Sequence, residues 1–340
     1  MVTHRPQSTR RPSMADVARA ARVSPQTVSR VANGSAAVTE HTRERVCKAI
    51  ADLGYRPNAA ARALKRGTFQ SLGVVMFDLF SEGQSRILAA IAEAASEVGY
   101  SIVLAPSGPR TSEAVSGAVV RLEEMSTDAV ILVMEASPCE GTFVVPTSDR
   151  LVVVTSGDAG GYPSVDTDQA QGARLAVEHL LSLGHDTVHH VTGPVYSYAA
   201  KARTQAWRVA LEDNGRNVPE PLGGDWSASS GYHAGLSLLR DPAVTAVFCA
   251  NDEEALGLTR AAAELGRDIP GDLSVVGFDD LPIGTGFPTP LTTVHQDFHA
   301  LGRACVRLAL RQIEGAATTS DSIRIPTSLV VRSSTAPPHI

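Results

Sequence analysis

Hydrophobic residues recur at helical spacing close to the N-terminus, within residues 14–34, at Val17, Ala18, Ala21, Val23, Val28 and Val31. Ser24 is a favourable N-cap and Pro25 a favourable first helical residue, so a second helix is predicted to begin at Pro25. Asn33 and Gly34 are typical of residues that end a helix. The segment therefore predicts two short helices joined by a tight turn.

This arrangement is the helix-turn-helix pattern, in which the second helix enters the major groove of DNA with its N-terminal residues leading. Gln26 and Arg30 lie on the outward face, where they can make bidentate contacts with adenine and guanine edges. Thr27 and Ser29 more naturally reach phosphate oxygens. A generic helical hairpin explains the hydrophobic pattern but not this exposed polar set, so we predict a DNA-binding element at residues 14–33.

A third helix is predicted over residues 40–53, with Thr39 as its N-cap and Gly54 at its end. Its inward residues are predicted to be Val46, Ala49, Ile50 and Leu53. The alanine-rich segment 58–66 follows and is too short to hold a helix alone in water. We expect it to order only when docked, with Leu64 as an apolar wedge between base steps.

From residue 71 onward, patterns of buried strands alternate with amphipathic helical patterns. The predicted strands are 72–77, 101–105, 129–134, 151–154, 187–193, 245–250 and 273–278. The predicted helices lie near 85–98, 112–126, 168–183, 198–214, 230–240, 252–265 and 297–314. This alternation predicts a doubly wound α/β core in two similar halves, in which ligands bind outside the carboxyl ends of the strands.

Polar residues stand at several of these strand ends, namely Asp78, Asn251, Asp252, Asp279 and Asp280. Arg203 lies near the start of the helix predicted after 187–193, and Trp226 follows a short run at 222–225. Each has a structural alternative, because an aspartate after a strand often caps the next helix and a single tryptophan is usually a core residue. Together they are what a polyhydroxylated ligand requires. Carboxylates accept from vicinal hydroxyls, arginine and asparagine fix other oxygens, and an aromatic face covers the C–H face of a sugar.

The composition predicts a cytoplasmic protein without a membrane partner. Of the 340 residues, 43% are hydrophobic, and no apolar run reaches the roughly 18–20 residues that span a bilayer. The polar start MVTHRPQSTRRPS does not resemble a secretory signal. The four cysteines lie far apart without CxxC spacing, which favours reduced thiols over a zinc module. We therefore expect neither a metal nor a cofactor.

The net charge of −6 hides an asymmetry along the chain. Residues 1–66 hold 13 Lys and Arg against 4 Asp and Glu, a net charge of +9, whereas the remainder carries −15. A small basic segment attached to a large acidic body indicates that only the basic segment binds a polyanion. A solvated basic tail is the alternative, but such a tail would not also carry ordered helical patterning.

Residues 14–67, MADVARAARVSPQTVSRVANGSAAVTEHTRERVCKAIADLGYRPNAAARALKRG, resemble the N-terminal domain of the LacI/GalR family of bacterial repressors. The resemblance implies that residues 25–31 read the major groove and that 58–66 form a hinge helix, with Leu64 intercalating at the operator centre. The predicted DNA contacts are Ser24, Pro25, Gln26, Thr27, Ser29, Arg30, Asn33, Asn58, Ala61 and Leu64. Arg22 departs from the family, which often has glycine at this turn, since arginine adopts a left-handed conformation only at some cost.

The resemblance continues through the body in VDTDQAQGARLAVEHLLSLGH, ANDEEALG, LSVVGFDD and LTTVHQDFHALG. It implies a periplasmic-binding-protein type I core of two doubly wound parallel-sheet subdomains with an effector cleft between them. The predicted effector contacts are Asp78, Arg203, Trp226, Asn251, Asp279 and Gln296. The stretch GDWSASSGY resembles members that bind galactosides, which implies a saccharide. The segment LFSEGQSR replaces a run of phenylalanines found in many members, so Trp226 is expected to supply most of the aromatic contact.

The predicted domain order is a disordered tail (1–12), a helix-turn-helix domain (13–57), a hinge helix and linker (58–70), a core of two interwoven subdomains (71–332) and a tail (333–340). The C-terminal sequence RIPTSLVVRSSTAPPHI predicts a last strand and a proline-containing tail. It has no leucine heptads of the kind that some members use to form tetramers. We therefore expect a homodimer on a palindromic, double-stranded operator. Its sugar effector acts either as an inducer or as a corepressor.

Three other classes of function fit less well. The DNA-binding segment and the polar N-terminus argue against a transport-type sugar-binding protein. A doubly wound enzyme is disfavoured because the chain lacks GxGxxG after its first strand, GxxxxGK[ST] and GxSxG. Adjacent His189 and His190 would point to opposite faces of a strand instead of sharing a metal. An architectural DNA protein needs no large acidic body, so we predict a non-enzymatic regulator without catalytic residues.

Overall fold

The computed structural model describes residues 12–32, 34–55, 67–77, 81–108, 111–135, 151–155, 162–316 and 321–339, with the backbone alone at 151–155. The predicted site residues Asn33, Asn58, Ala61, Leu64 and Asp78 lie outside these ranges. The chain divides into two compact units, Met1–Phe69 and Gln70–Ile340, which we call the head and the core.

The described part of the head is helical, with α1 (Met14–Ala21), α2 (Pro25–Ala32) and α3 (Glu40–Leu53). α1 begins with a capping box, in which Ser13 Oγ accepts from the Asp16 amide and the Asp16 carboxylate accepts from the Ser13 amide. The helices share one small hydrophobic core, formed by Val17, Ala18, Ala21, Val28, Val31, Val46, Ala49 and Tyr55. The predicted helix-turn-helix pattern is confirmed.

The turn between α1 and α2 contains an arginine in the left-handed conformation. Arg22 has φ 52° and ψ 49° and ends α1 as its C-cap. From α3, Arg45 Nη2 donates to the carbonyl oxygens of Ala21 at 2.5 Å and of Arg22 at 3.2 Å. These bonds satisfy carbonyl groups that the helix end leaves without partners, and they hold the turn in place from a distant part of the head.

One residue of α3 was predicted wrongly. Leu53, expected to face inward, is 36% exposed, because it is the last residue of the helix before Gly54 ends it with φ 61°. Tyr55, just beyond this turn, is buried in the head core instead.

The first half of the core, in its described residues, is a six-stranded parallel sheet. Its spatial order is β11 (Ser322–Ile325), β5 (Ser164–Thr167), β4 (Leu151–Thr155), β3 (Ala129–Val133), β1 (Ser71–Met76) and β2 (Ser101–Pro106). The helices packed against this sheet are α4 (Glu82–Glu97), α5 (Ser112–Glu124) and α10 (Phe298–Ile313). Strands β1 and β3 are almost entirely buried, as expected of central parallel strands covered on both faces.

The second half repeats this design. Its sheet has the order β12 (Thr327–Val330), β10 (Thr292–Gln296), β9 (Ser274–Asp279), β8 (Ala246–Cys249), β6 (His189–Thr192) and β7 (Leu222–Gly223), and β12 alone among these described strands runs antiparallel to its neighbour. Its helices are α6 (Gln169–Ser182), α7 (Tyr198–Asp213), α8 (Ala228–Leu238) and α9 (Asp252–Glu264), with a 3-10 turn at Pro282–Gly286. The predicted doubly wound fold in two halves is confirmed, although β5, β7, β10 and β11 were not predicted.

The chain crosses between the two halves after β5, after β10 and after β11. Asp168 and Asp297 follow the first two of these strands, and each carboxylate caps the helix that begins there. The first and third crossings are also bonded to each other, because the Asp168 amide donates to the Ile325 carbonyl at 2.8 Å and the Thr327 amide donates to Gln171 Oε1 at 2.8 Å. The junction of the halves is therefore a hydrogen-bonded unit at the base of the space between them.

Among the described residues, no helix combines the length and the apolar character needed to cross a membrane.

Candidate functional site

α2 presents the predicted DNA-reading residues on the side opposite the head core. Val28 and Val31 are buried, whereas the residues left exposed or half-buried are Ser24, Pro25, Gln26, Thr27, Ser29 and Arg30. The Ser24 hydroxyl accepts from the Thr27 amide at 3.1 Å and so caps the start of the helix. An exposed helix N-terminus with amide, hydroxyl and guanidinium groups can hydrogen-bond both to DNA phosphates and to base edges.

A cavity with about 640 Å³ of empty volume, part of it open to solvent, lies between the two halves of the core. It opens at the carboxyl ends of the strands, as expected for a doubly wound fold. Its polar lining includes Gln84, Glu135, Gln169, Arg203, Trp226, Asn251, Asp279 and Gln296. The structure thus brings together every predicted effector residue except Asp78, which lies outside the described residues.

Arg203, on α7, is the centre of the polar cluster and is only 3% exposed. Its Nε donates to Gln169 Oε1 at 2.8 Å, its Nη1 donates to the Ala250 carbonyl, and its Nη2 lies 3.4 Å from Asp279 Oδ1. The guanidinium carbon also lies 3.6 Å from the centroid of the Phe278 ring. Burial lowers the pKa of Arg203, and the nearby Asp279 charge opposes that shift.

Asp279 ends β9 in a backbone conformation that is strained for any residue but glycine, with φ 105°. Gln296 Nε2 donates to Asp279 Oδ1 at 2.5 Å, and Gln169 Nε2 donates to Gln296 Oε1 at 3.4 Å. Burial raises the pKa of Asp279, whereas the Arg203 charge lowers it. The strain is maintained by this network, which fixes the carboxylate at the cavity wall.

Trp226 also has a left-handed backbone, with φ 74°. Its ring lies over Gly193, where a Cβ atom would come within 2.3 Å of the ring. The Trp226 amide donates to Glu254 Oε1 at 3.0 Å, and Asn251 Nδ2 donates to the Trp226 carbonyl at 3.0 Å. Trp226 is therefore held as a wall of the cavity, while Trp207 is the tryptophan buried in the core.

Asn251, and not Asp252, caps α9, since Asn251 Oδ1 accepts from the Glu254 amide at 2.8 Å. Asp252 is fully buried, and its carboxylate accepts from the Leu281 amide at 2.7 Å and the Thr293 hydroxyl at 2.5 Å. The capping alternative for Asp252 is therefore wrong. Burial raises the pKa of both Asp252 and Glu254 to about 8.

The capping alternative is also wrong for Asp280, whose carboxylate makes long-range ion pairs. Its Oδ1 accepts from Arg332 Nη2 at 2.5 Å, and its Oδ2 lies 3.0 Å from His295 Nδ1. Asp280 does not line the cavity. It ties the segment after β12 to the second sheet and so has a structural role.

Sequence reasoning missed Gln84, Glu135, Gln169 and Glu254. Glu135 directly follows the predicted strand 129–134, so the rule that ligands bind at strand ends pointed to it. Gln169 follows β5, whose sequence SVDT carries no hydrophobic run. Gln84 lines the cavity from the first turn of α4, and Glu254, in the first turn of α9, supports Trp226. No local signal in either turn separates such a residue from a solvated one.

A helix-turn-helix head followed by a two-lobed core with a polar cleft defines a DNA-binding regulator controlled by a small molecule. The model of bacterial regulatory proteins of the lacI family matches residues 13–58, and that of the periplasmic binding protein-like domain matches residues 177–335. The chain is 35% identical over 330 residues to the lactose operon repressor of Escherichia coli K12, covering 95% of this chain and 91% of the relative.

The regulator CelR of Thermobifida fusca is 33% identical over 338 residues, with 96% of this chain and 98% of the relative covered. Among solved structures, the Lac repressor dimer bound to operator and the anti-inducer ONPF superimposes with a TM-score of 0.86 at 34% identity, covering 96% of this chain and all of that one. The CelR–cellobiose complex gives 0.71 at 32% identity, covering 95% and 100%. This protein belongs to the LacI family of bacterial regulatory proteins. It is a DNA-binding transcription regulator and not an enzyme, as predicted.

Proposed function

We propose that the protein represses transcription by binding a palindromic operator as a homodimer, and that a saccharide bound in the core cleft changes its affinity for the operator. Two similar proteins support this proposal, since the Lac repressor structure is a dimer bound to operator and CelR was solved with cellobiose. The site of action would be operator DNA in the cytoplasm, where the protein associates with the nucleoid.

The observation that carries the proposal is the buried polar cluster around Arg203. Arg203, Gln169, Gln296 and Asp279 bond to one another at the wall of the cavity between the two halves of the core. Such a cluster offers guanidinium and amide donors together with carboxylate acceptors, which suits the hydroxyl groups of a sugar. Trp226 supplies an aromatic face beside it.

The predicted contact residues therefore remain our proposal for both sites. Arg203, Trp226, Asn251, Asp279 and Gln296 would bind the effector together with Asp78. DNA would be read by residues 24–30 and Asn33, and the hinge would contribute Asn58, Ala61 and Leu64.

We infer that the crossings between the halves transmit the effect of the bound sugar to the part of the chain that binds the operator. Gln169 and Gln296 flank two of the crossings and also bond to the Arg203 cluster, so a ligand that replaces these bonds changes the geometry of the crossings. We infer that the two halves close on the sugar, shift the dimer interface and unfold the hinge at 58–66. Operator affinity then falls by the coupling free energy. A corepressor would produce the same coupling with the opposite sign.

The first experiment is a thermal-unfolding screen with mono- and disaccharides, followed by operator binding measured by fluorescence anisotropy with each stabilising sugar. A ligand at 100 times its Kd stabilises the protein by about 2.7 kcal/mol. Asp279→Ala is expected to abolish both responses, and Glu212→Ala, an exposed carboxylate on α7, is the matched control. Full operator affinity with a full sugar response in Asp279→Ala would show that the effector site lies elsewhere. If no sugar altered either measurement, the proposed effector class would be wrong.

The hinge is tested separately. Leu64→Ala is expected to weaken operator binding, because it removes the apolar wedge, while sugar binding to the core stays unchanged. Unaltered operator affinity would contradict the wedge role.

A further inference from the structure

The aromatic wall of the cleft is held through its backbone. Trp226 lines the cavity and has φ 74°, a conformation that is unfavourable for a residue with a side chain. Its amide donates to Glu254 Oε1 at 3.0 Å, and its carbonyl accepts from Asn251 Nδ2 at 3.0 Å. Since a strained backbone persists only where its surroundings impose it, the position of Trp226 depends on these two bonds.

Glu254 is buried in a manner that suits a neutral acid better than a carboxylate. The residue is 0% exposed, and its Oε2 is buried without a hydrogen-bond partner among the described residues. Moving a carboxylate out of water is costly unless a cation or several donors replace its hydration. An oxygen left without any donor therefore favours the protonated form of Glu254.

A backbone carbonyl lies beside the same carboxyl group. A Cβ atom added at Gly224 would lie 2.2 Å from Glu254 Oε1 and 2.4 Å from the Thr192 carbonyl oxygen, so both oxygens border the space next to this glycine. A protonated carboxyl group can donate its O–H to such a carbonyl, whereas a carboxylate offers only acceptors and is repelled by it. On α8, the residue that meets the Glu254 backbone is Gly231, which has no side chain.

The side chains that act electrostatically on Glu254 come from three other elements. Arg203, on α7, favours its charge, but the guanidinium is bonded to Asp279 and to two uncharged acceptors. Asp225, after β7, disfavours a second negative charge. Cys249, at the end of β8, is a neutral thiol, because burial raises its pKa. Burial of Glu254 outweighs the Arg203 charge and raises the pKa of Glu254 to about 8.

We propose that Glu254 is the positioning residue of the aromatic wall: as a neutral acid it holds Trp226 at the cavity, and when it ionises it releases Trp226. The wall is then in place at neutral pH and loosened in mildly alkaline solution, because a carboxylate must turn away from the Thr192 carbonyl towards water. Trp226 faces a sugar only under the proposed function, and the inference rests on that function in this respect.

The test uses the full chain with its tryptophans replaced by 5-fluorotryptophan. The chain has two tryptophans, so the fluorine NMR spectrum has one resonance for Trp226 and one for Trp207, assigned with Trp226→Phe. As the pH rises from about 7 to about 9, the Trp226 resonance is expected to move with a midpoint near pH 8. The resonance of Trp207, which is packed in the hydrophobic core, should not move.

Two variants of Glu254 separate the charge from the bulk of the side chain. Glu254→Gln keeps the size and an oxygen that accepts from the Trp226 amide but cannot ionise, so its Trp226 resonance should stay at the neutral-pH position throughout. Glu254→Met keeps the bulk without the acceptor, so its Trp226 resonance should be displaced already at neutral pH and should not titrate. Glu254→Gln decides the question if Glu254→Met folds poorly.

Asp252→Asn is the matched control. Burial raises the pKa of Asp252 to about 8 as well, but its carboxylate accepts from the Leu281 amide and the Thr293 hydroxyl and not from Trp226. This variant should leave the titration of the Trp226 resonance in place, and loss of the titration would assign it to Asp252 and overturn the role of Glu254.

The other outcomes are equally decisive. A Trp226 resonance that does not titrate in the intact protein, or that titrates equally in Glu254→Gln, would overturn the inference. A parallel movement of the Trp207 resonance would show that the whole core changes with pH and would overturn it too. These measurements need no sugar, so their result is separate from that of the saccharide screen, whose failure would overturn the proposed function.

Discussion

The head and the core place their functional residues in opposite environments. In the head, the proposed DNA-reading residues of α2 are exposed or half-buried, and they stand next to one another on this single short helix. In the core, the candidate effector residues are mostly buried and come from distant parts of the chain, with Gln169, Arg203, Asp279 and Gln296 joined by hydrogen bonds. One site is a surface and the other is part of the interior.

This difference determines how fold and function are coupled. On α2 the residues that hold the head together, Val28 and Val31, are different from those that face outward, so DNA binding and stability can vary independently. In the core, Arg203 and Asp279 hold the second half together and also line the cavity. A buried charge that loses its partner is strongly destabilising, so these two residues of the candidate effector site cannot be changed without affecting the fold.

Arg203→Leu should have the largest effect, because it leaves the Asp279 carboxylate buried without its cation. The expected loss in the free energy of unfolding is about 3–5 kcal/mol. The chain has two tryptophans, Trp207 and Trp226, and both lie in the core. Denaturant unfolding followed by tryptophan fluorescence therefore reports the core alone.

The matched control for this substitution is Arg208→Leu, on the same helix, half-buried and outside the cleft. It should change the free energy of unfolding by no more than about 0.5 kcal/mol. Arg203→Leu combined with Asp279→Leu should recover part of the loss, since replacing a buried ion pair by hydrophobic residues is often neutral. Equal, small losses in the two single variants would contradict the coupling of fold and site in the core.

The free energy of unfolding of the core, unlike that of the head, should depend on pH above pH 7, because the core buries ionisable groups. Burial raises the pKa of Glu254 to about 8, above its ordinary value of 4.5, so between these values the folded chain binds a proton that the unfolded chain has released. Stability should therefore fall as pH rises from 7 to about 8, by at most about 1.4 kcal/mol per pH unit for this group, and level off above that pH, where Glu254 is ionised in both states. Glu254→Gln should reduce the slope, measured by tryptophan fluorescence at several pH values.

Burial also raises the pKa of Asp252 to about 8, so Asp252 contributes a slope of the same sign that remains in Glu254→Gln. Two other groups titrate outside this pH range. Burial lowers the pKa of His190 to about 4, so His190 destabilises the core only as pH falls below about 6.5. In the head, bonds from Ser13 lower the pKa of Asp16 to about 2, and the resulting stability is lost only below about pH 4. Neither His190 nor Asp16 titrates above pH 7. If Glu254→Gln left the slope of unfolding free energy against pH unchanged, Glu254 would be ionised in the folded core.

The same contrast explains what could be predicted from the sequence. α2 and α3 are specified by local signals, such as the cap at Ser24 and the left-handed Gly54, so their bounds were predicted closely. Arg45, which supports the turn at Arg22, acts from 23 residues away, and no local pattern reveals such a bond.

In the core, hydrophobic runs identify the central strands but not β5, β10 and β11, whose sequences are SVDT, TTVHQ and SIRI. Without these strands, the places where the chain crosses between the halves could not be located. Gln169, next to the first crossing, was therefore missed. Side chains whose role depends on a partner more than 30 residues away, such as Gln169 with Arg203, can be recognised only once the fold brings them together.

Arg30→Ala tests the independence of function and fold in the head. Loss of one bidentate contact to a base is expected to weaken operator binding by about 1–3 kcal/mol and to relax preference at one base pair. Arg19→Ala removes the same charge from α1, at an exposed side chain, and should weaken operator and nonspecific DNA about equally. Affinities measured by anisotropy for both DNAs distinguish base reading from general attraction. An equal effect of the two variants would contradict a base contact by Arg30.

The smallest expected effect comes from Ser13→Ala, which removes the capping box of α1. The Ser13 hydroxyl lies 2.6 Å from Asp16 Oδ2, and the Asp16 amide lies 3.4 Å from Ser13 Oγ, and loss of such a cap costs about 1 kcal/mol. Amide hydrogen exchange in α1 should become roughly fivefold faster, a factor that corresponds to this energy. Ser13→Thr should restore most of the protection, because threonine is also an N-cap.

Because α1 shares a core with α2, this change loosens the scaffold beneath the DNA-reading face without touching the face itself. Operator affinity should fall by no more than the loss of head stability, and core unfolding followed by tryptophan fluorescence should not change. A shift in core unfolding would mean that the two units do not unfold independently. In that case the contrast between an exposed, separable site and a buried, coupled one would not hold for the whole chain.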